Sequence, residues 1–245
     1  MDTYKNKVRV AAHRGNSKYF PENTILGFKE ALKLNVDQLE IDLHMTKDGE
    51  IIMMHDHKVD RTTNGTGLVR DLTLAQLKEL DASYGMEAYR GAKIPTLGEV
   101  FDLIQNTRHI VNVEVKTDEW FYPQIEEKCL ALAREKGVED RIIYSSFNHY
   151  TLLKLRQLKP DAKLGMLFGD IMLKPWEYAA QLDVDYLHPM KMNIYVPDFS
   201  AGAAKAGCGV NMWTINDPET MQLCLNTGAG IITNYPDVAI ALKNK

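Results

Sequence analysis

The sequence contains few cysteines and no motif that would pair them. Its three cysteines, Cys129, Cys208 and Cys224, are an odd number and include no CxxC pair. This spacing suits neither a zinc site nor a disulfide framework. We therefore expect three reduced and mostly buried thiols.

The sequence also lacks an excess of basic residues and long apolar runs. It has 29 Lys and Arg residues against 33 Asp and Glu residues, which gives a formal net charge of −4. That balance argues against a nucleic-acid backbone as the main partner. No run approaches the roughly 20 apolar residues of a membrane-spanning helix, and the N-terminus lacks the apolar stretch of a signal peptide. We expect a cytoplasmic protein with no stable membrane insertion.

Short apolar or β-branched runs recur along the whole chain and alternate with helical patterns. These runs predict strands that start near Val8, Gln38, Val111, Arg141, Lys163, Val184, Gly209 and Ala229. Alternation of this kind predicts parallel β-α-β units with right-handed crossovers. Eight such strands fit an α/β fold of the (β/α)₈ TIM-barrel type, for which 245 residues is an ordinary length. A doubly wound parallel sheet is the alternative.

The interval between the second and third of these strands is more than twice as long as the typical interval. It begins with EIIMMHD (50–56), which reads as an extra short strand. An insertion after the second barrel strand would lie on the C-terminal face, where barrel enzymes have their active sites. We therefore expect one catalytic domain over 1–245, with an insertion at about 50–95 that caps the substrate side.

Polar and aliphatic residues alternate along the second predicted strand. Glu40, Asp42 and His44 alternate with leucine and isoleucine, so the three polar side chains share one strand face. A solvated face would suit an antiparallel sheet, but both faces of a parallel barrel strand are normally covered. Buried carboxylates need a cation or strong donors, and Mg²⁺ or Ca²⁺ prefers oxygen ligands. The pattern predicts a divalent-cation site.

The third predicted strand repeats this arrangement. In VNVEVK, Glu114 and Lys116 share a face with Asn112, and the valines occupy the other face. Glu114 would supply a third carboxylate from the neighbouring strand. Lys116 would either bind an anionic group shared with the cation or pair with Glu114, and the spacing leaves both open.

Two histidines are expected at the mouth where these carboxylates point. His13 ends the first strand and His55 ends the extra strand. Imidazole exchanges protons both ways near neutral pH, so the pair suggests a general base and a general acid. The alternative is that one or both ligate a metal such as zinc, but the chain has no HExxH motif. We expect His44 and His57 either to be structural or to support the site residues from behind.

Three further residues bear on the site. Arg14 would place a forked donor suited to phosphate at the same mouth. Asn23, directly before a helical run, is best interpreted as an N-cap. Trp213 would either wall the pocket or pack in the core, and the sequence does not decide between these.

The sequence resembles the glycerophosphodiester phosphodiesterases. The resemblance rests on motifs that run in family order across nearly the entire chain: HRGNSKYFPENT (13–24), EIDLHMTKDG (40–49), HD (55–56), RTTNGTG, IPTLGEV, VEVK, SSF, WTIN and ITNYP. One of these motifs alone would be weak evidence for the family, but the whole set in this order is specific to it.

The resemblance implies a barrel enzyme that hydrolyses glycerophosphodiesters to glycerol 3-phosphate and an alcohol. It implies that Glu40, Asp42 and Glu114 bind one Mg²⁺ or Ca²⁺ ion, and that His13 and His55 form the acid/base pair. The partner is then a small-molecule substrate. We also consider a homodimer. A lysophospholipid hydrolase, a binding protein without turnover, and a sugar isomerase or aldolase are the alternatives.

The resemblance also assigns three substrate contacts, with one departure from the pattern. Arg14 and Lys116 match positions that contact phosphate, and Trp213 matches an aromatic residue near the substrate.

Many relatives end with a TD-x-P motif at the last strand, whereas this chain has Asn234 in place of the acid. If that acid orients another group of the site, its replacement changes efficiency or metal preference.

Overall fold

The fold is a closed barrel of eight parallel strands with one additional strand at its edge. The computed structural model describes residues 8–245. The strands, in chain order, are β1 (Val10–His13), β2 (Gln38–Met45), β3 (Ile51–Met53), β4 (Ile110–Val115), β5 (Ile142–Ser146), β6 (Lys163–Phe168), β7 (Tyr186–Pro189), β8 (Gly209–Met212) and β9 (Gly230–Thr233). All except β3 belong to the barrel, and each begins close to its predicted start.

The barrel closes because β1 pairs in parallel with both β2 and β9. Each remaining barrel strand pairs with the next one along the chain, so that β4 follows β2 and the order continues to β9. The prediction of a (β/α)₈ TIM barrel is confirmed. A doubly wound sheet is excluded, because such a sheet has two open edges whereas this one returns to its first strand.

Helices follow the strands around the barrel. They are α1 (Ile25–Lys33), α2 (Leu74–Glu79), α3 (Leu97–Ile104), α4 (Ile125–Glu135), α5 (His149–Leu158), α6 (Pro175–Gln181), α7 (Phe199–Lys205), α8 (Pro218–Thr227) and α9 (Pro236–Lys243). Local sequence explains several starts. Thr73 and Thr96 open α2 and α3 with capping boxes, and α6, α8 and α9 each carry proline in the first turn, where its missing N–H costs nothing.

The alternation along β2 separates the hydrophobic core from the polar barrel interior. Leu39, Ile41 and Leu43 are fully buried and belong to one core cluster with Phe28 of α1 and Phe101 of α3. This cluster fills the layer between strands and helices. The polar residues that alternate with them therefore point to the inside of the barrel, as the sequence predicts.

The long segment between β2 and β4 contains the predicted extra strand. β3 runs antiparallel to β2, with Leu43 opposite Met53 and Met45 opposite Ile51. Beyond β3 the segment packs its own small core, which includes Val59, Leu77 and Ile94. The antiparallel turn brings the chain after β3 back over the barrel mouth.

All three cysteines are buried as thiols. Burial raises the pKa of the Cys129 thiol well above its ordinary value and that of Cys224 to about 12. Because the thiolate is the reactive form, we expect the folded protein to resist iodoacetamide at pH 8, while protein unfolded in guanidinium takes up three labels. Mass spectrometry distinguishes the two, and rapid labelling of the folded chain would contradict the burial of these thiols.

No helix among residues 8–245 is long and apolar enough to cross a membrane.

Candidate active site

Three carboxylates meet inside the mouth of the barrel. Glu40 and Asp42 project from β2 and Glu114 from β4, and the strand register places Asp42 directly opposite Glu114. All three residues are buried, and each offers an oxygen that lies within 4.8 Å of those of the other two. Two adjacent strands, rather than flexible loops, hold this cluster, so its geometry is fixed by backbone pairing.

Two cations partly compensate the charge of these carboxylates. Lys116 Nζ lies 2.6 Å from Glu114 Oε1 and 3.3 Å from Asp42 Oδ1. On the opposite side, Arg14 Nε lies 3.2 Å from Asp42 Oδ2, and the Arg14 backbone N–H donates to Glu40 Oε2 at 2.9 Å. Lys116 therefore pairs with Glu114, which is one of the two roles that the spacing left open, and it also contacts Asp42.

The pKa shifts of the carboxylates follow from this arrangement. Burial favours the neutral acid, yet the nearby Lys116 and Arg14 hold the pKa of Asp42 well below its ordinary value. Burial raises the pKa of Glu40, and the neighbouring Asp42 and Glu114 raise it further. Burial likewise raises the pKa of Glu114 despite its contact with Lys116. Two cations therefore do not fully stabilise three negative charges.

A bound divalent cation would neutralise this remaining negative charge. Glu40, Asp42 and Glu114 offer only oxygen donors, which hard cations such as Mg²⁺ and Ca²⁺ prefer. No histidine or cysteine takes part in this cluster within the described chain. The residues present therefore fit a hard divalent cation better than zinc, which prefers nitrogen and sulfur ligands.

His13 lies at the end of β1 and is held by Asn234. His13 Nδ1 is 2.5 Å from Asn234 Oδ1, an oxygen that also accepts from Ser17 Oγ at 3.2 Å. Because a carbonyl oxygen only accepts, this contact assigns the hydrogen to Nδ1 and leaves the lone pair on Nε2, which lies 4.0 Å from Glu40 Oε2. Burial and the nearby Arg14 lower the pKa of His13 to about 3, so the ring is neutral.

His55 follows β3 and is held by a carboxylate instead of an amide. Its Nδ1 lies 2.7 Å from Asp56 Oδ1, and Asp56 in turn accepts from Arg61 Nε at 2.7 Å. The hydrogen bond from Arg61 lowers the pKa of Asp56, so that Asp56 is a carboxylate and accepts from His55 Nδ1. One cavity is lined by His13, His55, Glu40 and Glu114. The two imidazoles therefore lie at the same cavity as the carboxylate cluster.

A chain of ion pairs that the sequence did not reveal connects the two histidine regions. Arg61 donates to Glu22 through its two terminal guanidinium nitrogens, each at 2.8 Å, and Glu22 also accepts from Arg14 at 3.1 Å. Arg14 and Asp56 are thus joined through Glu22 and Arg61. The only sequence signal for these residues is their place within the motifs PENT and RTTNGTG.

The prediction that Asn23 caps helix α1 is wrong. Thr24 is the N-cap, because its side chain accepts from the Gly27 N–H. Asn23 is buried at a positive φ of 52°, donates from Nδ2 to Asp42 Oδ2 at 2.9 Å and accepts from the Asp42 N–H at 3.3 Å. The left-handed backbone turns its amide away from the helix and towards the carboxylate cluster, which it helps to position.

Trp213 is both packed and exposed to the cavity. Its Nε1 donates to the His188 backbone oxygen at 2.7 Å, and its ring meets Phe147 edge-on at 5.4 Å between centroids. Trp213 and Phe147 both line the cavity that contains the histidines. The sequence left pocket wall and core packing open for Trp213, and the structure combines the two. Phe147, in the motif SSF, was not singled out from the sequence.

His44 and His57 lie behind the site. His44 is fully buried, with one ring nitrogen 3.1 Å from the Tyr122 hydroxyl and the other 3.1 Å from the His55 backbone oxygen. Burial lowers the pKa of His44 to about 3. The neutral ring of His44 therefore supports the backbone of His55. The ring of His57 packs against that of His44, with 4.7 Å between the ring centroids.

Comparison with known proteins identifies the family. The model of the glycerophosphoryl diester phosphodiesterase family matches residues 13–238. The chain belongs to this family. A glycerophosphodiester phosphodiesterase from Caldanaerobacter subterraneus subsp. tengcongensis is 43% identical over 98% of this chain and 99% of its own length. One from Bacillus altitudinis is 35% identical over 97% and 98%, respectively. The prediction of a phosphodiesterase enzyme is confirmed, and a sugar isomerase or aldolase is excluded.

Solved structures of phosphodiesterases superpose on this chain. An Oleispira antarctica phosphodiesterase, determined in complex with the product sn-glycerol-3-phosphate, superposes with a TM-score of 0.87 at 30% identity and 99% coverage of both chains. A putative glycerophosphoryl diester phosphodiesterase from Silicibacter pomeroyi has a TM-score of 0.88 at 26% identity, covering 98% of this chain and 94% of its own. The barrel and its insertion are therefore shared over essentially their full length.

Proposed function

We propose that this protein hydrolyses glycerophosphodiesters to glycerol 3-phosphate and an alcohol, with one bound divalent cation. The observation that carries the proposal is the single cavity onto which two histidines, two of the three carboxylates and Arg14 open together. We also propose that 1–245 acts as one catalytic unit, in which the insertion at about 50–95 supplies His55 and caps the substrate side.

Glu40, Asp42 and Glu114 would hold the cation. Mg²⁺ and Ca²⁺ both suit these oxygen ligands, and when bound such an ion supplies positive charge beside the phosphate oxygens. Asn23, Arg14 and the strand pairing fix the carboxylates in place before the ion arrives.

Arg14 and Lys116 would bind the phosphate. Their cationic groups flank the carboxylate cluster and are themselves oriented by Asp42, Glu22 and Glu114. Charge grows on the phosphoryl oxygens as the transition state forms, and fixed cations at that position stabilise it. Trp213 would cover the apolar side of the glycerol unit from the adjoining wall.

The partners of the two histidines support separate roles for them. His55 Nδ1 faces the Asp56 carboxylate, which holds the ring and leaves Nε2 to exchange the proton, so we assign His55 as the general acid that protonates the leaving alkoxide. His13 Nδ1 faces a neutral amide and the ring is neutral, so its Nε2 suits the general base that takes the proton of the nucleophile. Two nucleophiles fit this scheme, water and the hydroxyl of the substrate's glycerol. A cyclic phosphate detected by ³¹P NMR during turnover would identify the second.

The reaction is tested by glycerol 3-phosphate release from glycerophosphocholine. Protein treated with EDTA should be inactive, and either Mg²⁺ or Ca²⁺ should restore release together with an equal amount of choline. The more effective ion then identifies the preferred metal. Absence of release with every ion, from protein shown to be folded by circular dichroism, would contradict the proposed reaction.

Asn234 offers a further test of the role of His13. A carboxylate in its place would stabilise the protonated form of His13, so Asn234→Asp should raise the pKa of His13 and move the corresponding limb of the pH–kcat/KM profile upwards by about one pH unit or more. Asn226→Asp, which adds the same charge at an exposed position of α8, should leave the profile unchanged. An unshifted Asn234→Asp profile would show that this contact does not control His13.

The homodimer and the cytoplasmic location remain predictions. Light scattering of the purified protein tests the first, and fractionation of the source cells tests the second.

A further inference from the structure

Exposed large hydrophobic side chains are concentrated at one end of the barrel. Within residues 8–245 there are ten such side chains, and nine belong to the insertion or to loops and first helical turns that follow the barrel strands. The exception is Leu158, the last residue of α5, at the opposite end. Exposed hydrophobic residues normally lie scattered over a protein surface. Their concentration around the barrel mouth makes this end a candidate interaction surface.

Six of these side chains form what we call the apolar rim. They follow three consecutive strands, β5, β6 and β7, on the side of the barrel away from the insertion. The rim consists of Phe147, Tyr150, Ile171, Leu173, Met192 and Tyr195. The most exposed are Leu173 at 91% and Tyr150 at 77%. Side chains with this exposure project outwards from their loops and do not line an enclosing groove.

The apolar rim is continuous with the proposed catalytic cavity. Phe147 belongs to both, because it lines the cavity and is also 37% exposed at the surface. Inside the cavity its ring contacts Trp213. A partner that covers the rim therefore lies directly at the entrance to the phosphodiester site.

We propose that the apolar rim docks this protein, peripherally, on the surface of a zwitterionic lipid layer. Projecting aliphatic tips such as Ile171 and Leu173 suit shallow insertion between lipid chains, and tyrosines with an apolar ring and a polar hydroxyl suit the headgroup level. The exposed charges beside Leu173 do not favour anionic lipid, since Lys174 pairs with Glu177 at 3.1 Å and the chain has a formal net charge of −4. Docking in this orientation presents the cavity to the lipid headgroups and does not depend on the reaction carried out there.

Flotation with phosphatidylcholine vesicles tests the proposal. The wild-type protein should float with the vesicles. The double variant Ile171→Ser/Leu173→Ser should bind them at least about tenfold more weakly, because burial of one aliphatic side chain is already worth about tenfold in affinity. Leu158→Ser, an exposed leucine changed in the same way at the other end of the barrel, should bind like the wild type. Both variants should hydrolyse water-soluble glycerophosphocholine at the wild-type rate, which checks the fold and separates this test from that of the reaction.

A gain-of-binding variant covers the case in which the double variant is poorly folded. Tryptophan prefers the lipid–water boundary, so Leu173→Trp should bind vesicles more tightly than the wild type. Wild-type protein that does not float, or a double variant that floats as well as the wild type, would overturn the proposal. Light scattering that shows a dimer in the wild type and a monomer in the double variant would identify the rim as a contact between two copies and would also overturn it.

Discussion

Replacement of either His13 or His55 by glutamine should lower kcat by about 10²–10⁴-fold, the usual contribution of a group that transfers a proton. Glutamine keeps a polar side chain of similar reach but cannot exchange a proton near neutral pH. Both rings line the cavity together with Glu40 and Glu114, so we expect either loss to remove one half of the proposed acid/base pair. The measurement is steady-state kinetics of glycerophosphocholine hydrolysis with saturating metal ion.

A good leaving group separates the two histidines. A glycerophosphodiester of p-nitrophenol releases p-nitrophenolate, a phenolate that needs little protonation, so the deficit of His55→Gln should shrink on this substrate while that of His13→Gln persists. The reverse pattern would exchange the assigned roles. His109→Gln, at a histidine that directly precedes β4 and does not line the cavity, serves as the matched control. Wild-type activity in a folded His13→Gln or His55→Gln variant would overturn the acid/base assignment.

Substitutions in the carboxylate cluster should differ sharply in their effect on stability. Asp42 is fully buried between Arg14 and Lys116, and its low pKa shows that the folded protein favours its charged form. Asp42→Asn removes the one carboxylate that contacts both buried cations, and leaves Arg14 and Lys116 with one glutamate partner each. It should lower the free energy of unfolding by about 3 kcal/mol, the lower end for loss of one partner of a buried ion pair. Glu40 has a raised pKa, so the folded protein without metal disfavours its charge. Glu40→Gln should therefore cost little stability in EDTA.

The stability response to metal ion provides a second comparison of these variants. In wild-type protein, Ca²⁺ or Mg²⁺ should raise the unfolding midpoint, because a ligand that binds only the folded state stabilises it. Both Glu40→Gln and Asp42→Asn should lose this rise and lose hydrolysis, whereas Glu135→Gln, at an exposed position of α4, should keep both. Urea unfolding with EDTA and with Ca²⁺ provides the comparison. A normal calcium response in Glu40→Gln would remove Glu40 from the metal site.

Residues on regular strands were the ones that the sequence could place. The period of two along β2 separates Glu40 and Asp42 from the aliphatic core residues, and the strand order brings Glu114 beside them. His13 could be located because it lies at the end of a strand whose direction the alternating pattern defines. The extra strand was also predictable from its position and its turn, and it brings His55 to the same mouth.

Residues in irregular loops could not be placed in this way. Asn23 reads as a helix cap from its neighbours, but its left-handed backbone directs the amide to Asp42 instead. The contacts of Glu22 with Arg61 and Arg14 join segments distant in sequence, and no local pattern encodes their meeting. Asn234 was noticed only as a departure from a motif, and the structure adds that its partner is His13.

Hydrolysis of glycerophosphocholine in ¹⁸O-labelled water tests the central claim most directly. If this centre breaks the phosphorus–oxygen bond to the alcohol, mass spectrometry should find the label in glycerol 3-phosphate and none in choline, whether water attacks directly or opens a cyclic phosphate. Label in choline, or the formation of choline phosphate instead of glycerol 3-phosphate, would show that a different bond is cleaved and would contradict the account.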